Sequence, residues 1–158
     1  LEVNEFGEVN IAMLENLLAQ PNSPTTLVSL MHANNEIGTM IDLDAVALLC
    51  KKHHSYFHSD TVQTIAHKEI DLQKTPIDFI SGSAHKFHGP KGIGFVFIRN
   101  GVTLQPFMDG GAQERNMRAG TENVASIIGL CKAMEIWQAN KENQRCSWVF
   151  RTCCEEFT

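Results

Sequence analysis

The chain contains no apolar run approaching the ~20 residues of a membrane span, so no membrane-spanning helix is expected. Leu1-Glu2-Val3-Asn4-Glu5 offers neither the basic region nor the apolar core of a signal peptide, and no initiator methionine stands before it. The expectation is therefore a chain that begins inside a longer protein. Basic residues are in the minority: 13 Lys and Arg against 18 Asp and Glu give a formal net charge of -5, which counts against a nucleic-acid surface. The one basic cluster, Lys51-Lys52-His53-His54, suits a helix C-terminus, where cations complement the dipole. None of the five cysteines forms a CxxC pair. Cys50 and Cys131 fall on apolar helical faces and read as reduced core residues, which fits a cytoplasmic, reducing compartment. Repeats and low-complexity tracts are missing too.

What is present is enough for a core: 43% of the 158 residues are hydrophobic, one domain's worth by length. Asn10 is placed to cap a helix with Ile11, Leu14, Leu17 and Leu18 on one face, ended by Pro21-Asn22-Ser23-Pro24. Leu27 to Ala33 reads as a buried strand, with Asn34-Asn35-Glu36-Ile37-Gly38 as the loop at its carboxyl end. Asp42 caps a second helix carrying Leu43, Val46, Ala47 and Cys50 on one stripe. Tyr56-Phe57-His58 reads as a strand closing at Asp60, and Ile77 to Ser81 as one closing at Ser83-Ala84-His85-Lys86. Gly94 to Ile98 is a fourth. Strands and helices alternate, which predicts an α/β fold with an at least partly parallel sheet. Such sheets bind ligands beyond the carboxyl ends of their strands, and Asn35, Asp60 and Lys86 each lie just past a predicted end. The glycine- and charge-rich stretch from Gly110 to Thr121 is a long loop of the kind that is usually functional or disordered. Thr121 then caps a helix with Val124, Ile127, Ile128, Cys131 and Met134 spaced for burial. From Asn140 the character changes, and residues 141–158 hold three of the five cysteines with no structural assignment.

Lys86 ends a small, hydroxyl-bearing segment, and a glycine- and proline-rich turn follows. Together with Asp60 it forms the pair that pyridoxal phosphate chemistry needs: an amine for the Schiff base and a carboxylate to keep the pyridine nitrogen protonated. The ordinary alternatives are a surface lysine in a turn and an aspartate closing a strand. Gln63 is within reach of the same site and could donate to the ring's phenolic oxygen; otherwise it is a solvated residue. Ser83 and His85 are potential phosphate donors, or plain turn polarity. Thr121 offers a hydroxyl at a helix N-terminus, an anion site or a simple cap. Asn35 could orient cofactor or substrate, or merely form a turn. The histidines match no metal-ligand spacing, so no metal is expected.

Four segments carry a family likeness: Met31-His32-Ala33-Asn34-Asn35-Glu36-Ile37-Gly38, His58-Ser59-Asp60-Thr61-Val62-Gln63, Ser83-Ala84-His85-Lys86 with Gly89-Pro90-Lys91-Gly92-Ile93-Gly94, and Gln113 to Thr121. In this order they resemble cysteine desulfurases of the NifS/IscS type, in the class V aminotransferase group of fold-type I pyridoxal phosphate enzymes. The resemblance covers roughly residues 1–140 and implies the central part of the large domain, a mostly parallel sheet flanked by helices. It implies Lys86 as the internal aldimine, Asp60 on the pyridine nitrogen, Gln63 on the phenolic oxygen and Ser83 with His85 on the phosphate. Asn35 would lie near the substrate side, and Thr121 would reach the phosphate of a neighbouring subunit, making a homodimer part of the site. It further implies L-cysteine as substrate and a sulfur-acceptor or iron–sulfur scaffold protein as partner.

The family's N-terminal phosphate loop and stacking histidine, its substrate-carboxylate arginine and its persulfide cysteine have no counterpart here. Cys146, Cys153 and Cys154 do not sit in anything like the nucleophile loop. The expectation is an internal piece with an atypical tail. Selenocysteine lyase and other class V aminotransferases share much of the pattern. From other classes come a non-catalytic cofactor-binding or dimerisation fragment, and a metal hydrolase built on His58, Asp60, His85 and His88.

Overall fold

The computed structural model describes residues 1–20 and 25–140. The expected helix stop at Pro21-Asn22-Ser23-Pro24 and the cysteine-rich tail lie outside the described residues. Two helix starts form where side-chain acceptors were expected. Asn10 caps α1 (Ile11–Leu18) by accepting the Met13 N–H at 2.9 Å, and Asp42 caps α2 (Leu43–Lys52) by accepting that of Ala45 at 3.0 Å. Lys51 and Lys52 fill the last turn of α2, beside its negative pole.

Strands β1 (Leu27–Met31), β2 (Tyr56–Asp60), β3 (Phe79–Ser83) and β4 (Gly94–Ile98) form one sheet in that order. The first three are parallel and β4 runs antiparallel to β3. The fold is thus the mostly parallel α/β sheet with flanking helices that the alternation predicts. Four strand boundaries differ: β2 runs on from His58 to Asp60 and β3 from Ser81 to Ser83, and the end of β1 and the start of β3 move as well. β1 stops at Met31, because Ala33 turns away into a bridge with Met40. β3 starts at Phe79 instead of Ile77, because Ile77 belongs to a segment clamped from outside the ladder. Arg99 donates to the carbonyls of Ile77 (2.6 Å), Thr75 (2.8 Å) and Leu72 (3.0 Å), and the Asp78 carboxylate accepts the Phe57 N–H at 2.8 Å.

The pleat sorts side chains by face. Val28, Phe57 and Ile80 point to one side, where they are buried with Leu14 and Leu18 of α1 and Leu43, Val46, Ala47 and Cys50 of α2. The other side carries Leu27, Tyr56 and Val96, all exposed, together with Ser29, His58, Asp60 and Ser81. A second, smaller cluster joins Ala66, Ala84, Phe87 and Leu130.

The last helix, α3 (Val124–Ala139), corrects two expectations. Asn123, not Thr121, is its cap, accepting the Ser126 N–H at 3.2 Å; Thr121 stands outside the helix, exposed. The buried stripe is also different. Leu130 is buried, with Ala133, Met134 and Trp137 packed beside it at helical spacing, whereas Val124, Ile128 and Cys131 are exposed. The reason is the narrow surface that α3 rests on, the Ala84–Phe87 turn with Ala66 and Phe95 beside it, in place of the broad sheet face that α2 covers. Between Gly110 and Thr121, Glu114, Arg115 and Asn116 adopt left-handed backbone (φ 48°, 56° and 63°), a conformation costly for residues with a Cβ. Among the described residues no helix is long and apolar enough to cross a membrane.

Candidate active site

Because β1, β2 and β3 run parallel in register, with Met31 beside Asp60 and Asp60 beside Ser81, their carboxyl ends share one rim. Asn35, Asp60, Gln63, Ser83, His85 and Lys86 all stand on or just after these ends. The sheet thereby gathers six of the seven predicted site residues at the place where open α/β sheets bind ligands.

Asp60 is the last residue of β2 and is half-buried. Its Oδ1 accepts the Val62 N–H at 2.9 Å, and its other oxygen has no partner among the described residues. Its own carbonyl accepts the His32 N–H at 2.8 Å, tying the end of β2 to the end of β1. The next residue, Thr61, is fully buried and gives both its N–H (3.0 Å) and its hydroxyl (2.9 Å) to the Ser81 carbonyl. Gln63 follows, half-buried, in a turn closed by the Thr64 N–H on the Thr61 carbonyl.

Lys86 lies in a 3₁₀ turn, Ala84–Phe87. Three residues per turn place Ala84 and Phe87 on the same side, where both are buried, and leave His85 and Lys86 outward and exposed. The turn closes through His88 in left-handed conformation (φ 67°) and the Gly89 N–H on the Ala84 carbonyl at 2.8 Å. A side chain at Gly89 would meet Ala84 Cβ at 2.8 Å, so this closure requires glycine. Ser83 Oγ and His85 Nδ1 pair at 2.8 Å, forming one polar unit beside the lysine. The exposed Asn35 donates its amide to Glu36 at 2.7 Å.

Thr121 is the residue not brought to this rim. Its loop closes on itself: Gln113 accepts the Gly120 N–H at 3.1 Å, Arg118 donates to the Gly120 carbonyl at 2.9 Å, and the Ala119 N–H reaches the Met108 carbonyl at 3.3 Å.

The structure adds three histidines to which the reading as a pyridoxal phosphate site gave no part. Buried His32 accepts or donates through Nδ1 to Thr64 Oγ1 at 2.8 Å, and its pKa is held below the usual histidine value by burial first and the Lys68 charge second. His58 spans three strands, with Nδ1 2.8 Å from Ser29 Oγ and Nε2 3.3 Å from Ser81 Oγ. Period-2 alternation from Asp60 would have placed His58 on the same face. His67 Nε2 lies 3.4 Å from the Lys86 carbonyl, a contact with no sequence signal.

A cavity of about 460 Å³ lies between the start of α2 and residues 68–75, lined by His32, Asp42, Lys68 and Asp71 among others. None of the predicted site residues lines it, so the rim, and not this cavity, is the candidate site. Among the described residues, no three His, Cys, Asp or Glu side chains group as metal donors.

A family profile described as aminotransferase class-V matches residues 1–146. The chain is 47% identical, over 149 residues, to a protein from Clostridium botulinum named cysteine desulfurase IscS, covering 93% of this chain and 37% of that one. It therefore spans a little over a third of the length of that curated relative. A solved NifS-like protein from Rickettsia africae superposes with a TM-score of 0.88 at 31% identity, over 99% of this chain and 45% of that one. A solved structure titled SspA in complex with cysteine matches with a TM-score of 0.79 at 34% identity, over 85% of this chain and 39% of that one.

Proposed function

This chain belongs to the class V aminotransferase family, and on that premise we propose that residues 1–140 form the central part of the large domain of a pyridoxal phosphate-dependent cysteine desulfurase. One observation carries the reading: an exposed amine, Lys86, and a carboxylate with one uncommitted oxygen, Asp60, follow adjacent parallel strands on one rim. This donor set fits the cofactor. Lys86 would hold it covalently, Asp60 at the pyridine nitrogen, Gln63 at the phenolic oxygen, and the Ser83–His85 pair at the phosphate. Asn35 would face the substrate, and Thr121 would serve the phosphate held by a second copy in a homodimer. When bound, the group supplies an electron sink for the substrate's alpha carbon. Lys86, close by, would take and return the proton at that carbon. Asp60 would keep its positive partner charged, and its bond to the Val62 N–H would hold it in place.

The named relatives and the cysteine-bound neighbour support L-cysteine as substrate, with alanine and sulfur as products. Transfer of that sulfur to an iron–sulfur scaffold or other acceptor, in the cytoplasm, completes the proposal. A selenocysteine lyase would remove zero-valent selenium from selenocysteine instead, leaving alanine, and an aminotransferase would pass the amine to a keto acid.

The test is chemical. Borohydride reduction after incubation with pyridoxal phosphate should leave a modified peptide containing Lys86, and Lys86→Ala should remove it. An adduct that persists elsewhere at equal yield in Lys86→Ala refutes the assignment.

A further inference from the structure

We propose that His67 is a positioning residue that guides the Lys86 turn toward the segment that follows Asp60 and carries Gln63, by donating its Nε2–H to the Lys86 carbonyl. The inference rests on the reading of Lys86 as the residue that tethers the cofactor.

Two segments must keep a fixed relation for that site to work: residues 61–68, after β2, and residues 84–89, after β3. Their bases are joined, since Thr61 holds the Ser81 carbonyl through both N–H and hydroxyl. Further out, Ala66 is buried against Ala84 and Phe87. Neither contact touches Lys86. The turn's own bonds do not fix it either, because the His88 and Gly89 N–H groups both go to the Ala84 carbonyl. The chain then reverses through left-handed His88, leaving the Lys86 carbonyl an orphan acceptor of the kind every helical end carries. His67 Nε2, at 3.4 Å, is the donor facing it.

The residue is itself anchored. His67 is half-buried, and its backbone N–H bonds the Thr64 carbonyl at 2.8 Å, which fixes the main chain from which the ring extends. Nε2 carries a proton in one neutral tautomer and in the imidazolium, so both can donate. At 3.4 Å the bond is at the long end of N–H···O geometry, so it guides the turn and does not weld it. The expected consequence is a kinetic change of a few fold.

The experiment measures the rate at which pyridoxal 5′-phosphate forms a borohydride-reducible adduct on Lys86 of the whole chain, located by mass spectrometry. The Lys86 amine adds to the aldehyde with loss of water, and hydride then fixes the bond. His67→Leu should slow labelling of Lys86 by roughly three- to tenfold, the range one neutral hydrogen bond supports. His67→Gln, which keeps an N–H at similar reach, should restore most of it. The far-UV spectrum and unfolding midpoint should stay at the wild-type values in both. Should His67→Leu fail to fold, His67→Met takes its place as the donor-free variant. Labelling as fast without the donor as with it overturns the inference, and so does a His67→Gln rate as slow as that of His67→Leu. Wild-type chain whose adduct does not map to Lys86 brings down the underlying reading, a result distinct from either.

Discussion

Helices α2 and α3 carry apolar residues in similar proportion, yet they meet different fates. The ten-residue α2 buries Leu43, Val46, Ala47 and Cys50, while the sixteen-residue α3 buries Leu130 alone. The cysteines repeat the contrast: Cys50 is buried and Cys131 is exposed. What separates the two helices is the surface each one meets. α2 lies on the sheet, where Val28, Phe57 and Ile80 present a broad apolar face. α3 meets a smaller patch made by Ala84 and Phe87 of the turn with Ala66 and Phe95 beside them, and contact that narrow holds one line of side chains. Apolar spacing in sequence reports which residues are able to pack; the partner's breadth decides how many do.

Substitutions that exchange the two environments should test this. Val46→Asp puts an unpaired carboxylate into a fully buried position and should cost more than about 4 kcal/mol, enough to abolish cooperative thermal unfolding. The thiols give the next largest difference. Burial, with a contribution from Asp78, pushes the Cys50 thiol up to about 11. A thiol reagent at neutral pH should therefore modify Cys131 on the order of a hundredfold faster than Cys50, as read by peptide mass. Equal rates would mean that α2 is not seated as described. Leu130→Ala should destabilise by about 2–3 kcal/mol, near the low end for a buried leucine because its surroundings are only partly closed. Chemical denaturation measures it.

His32, beside the start of α2, adds a pH dependence. Its folded pKa lies below the ordinary value of 6.5, so the unfolded chain takes up the proton first. Stability is fully present above about 6.5, declines as pH falls through that value, and levels off below the folded pKa. His32→Gln should flatten that limb in melts taken across the range. Smallest of all, Ile128→Ser on the exposed face of α3 should change stability by no more than about 0.5 kcal/mol.

The elements fixed by local chemistry were legible in the sequence. Asn10 and Asp42 act within three residues, and Gly94–Ile98 has the pattern of an isolated strand, so no distant partner was needed to find them. The gathering of Asn35, Asp60 and Lys86 on one rim was legible as well, because parallel strands leave no other place for their ends. Errors fell where a remote group decides, or where two neighbouring residues compete for one role. Ile77 reads as strand until Arg99, from beyond β4, takes its carbonyl. Thr121 reads as a cap until Asn123, two residues on, takes that role with Ser126. His67 carried no signal at all, since its target is a backbone carbonyl, and a backbone carbonyl is identical in every residue.

The reversed direction of β4 has a consequence for the lysine. Gly94, its first residue, sits opposite Ser83, so the link through Pro90 and Lys91 must fold back over the rim it has just left. A Cβ at position 94 would stand 2.5 Å from the Gly82 oxygen, leaving no room for any methyl group there. The hairpin thus acts as a gauge. Its glycine fixes how near the returning chain can come to the strand that leads into the Lys86 turn.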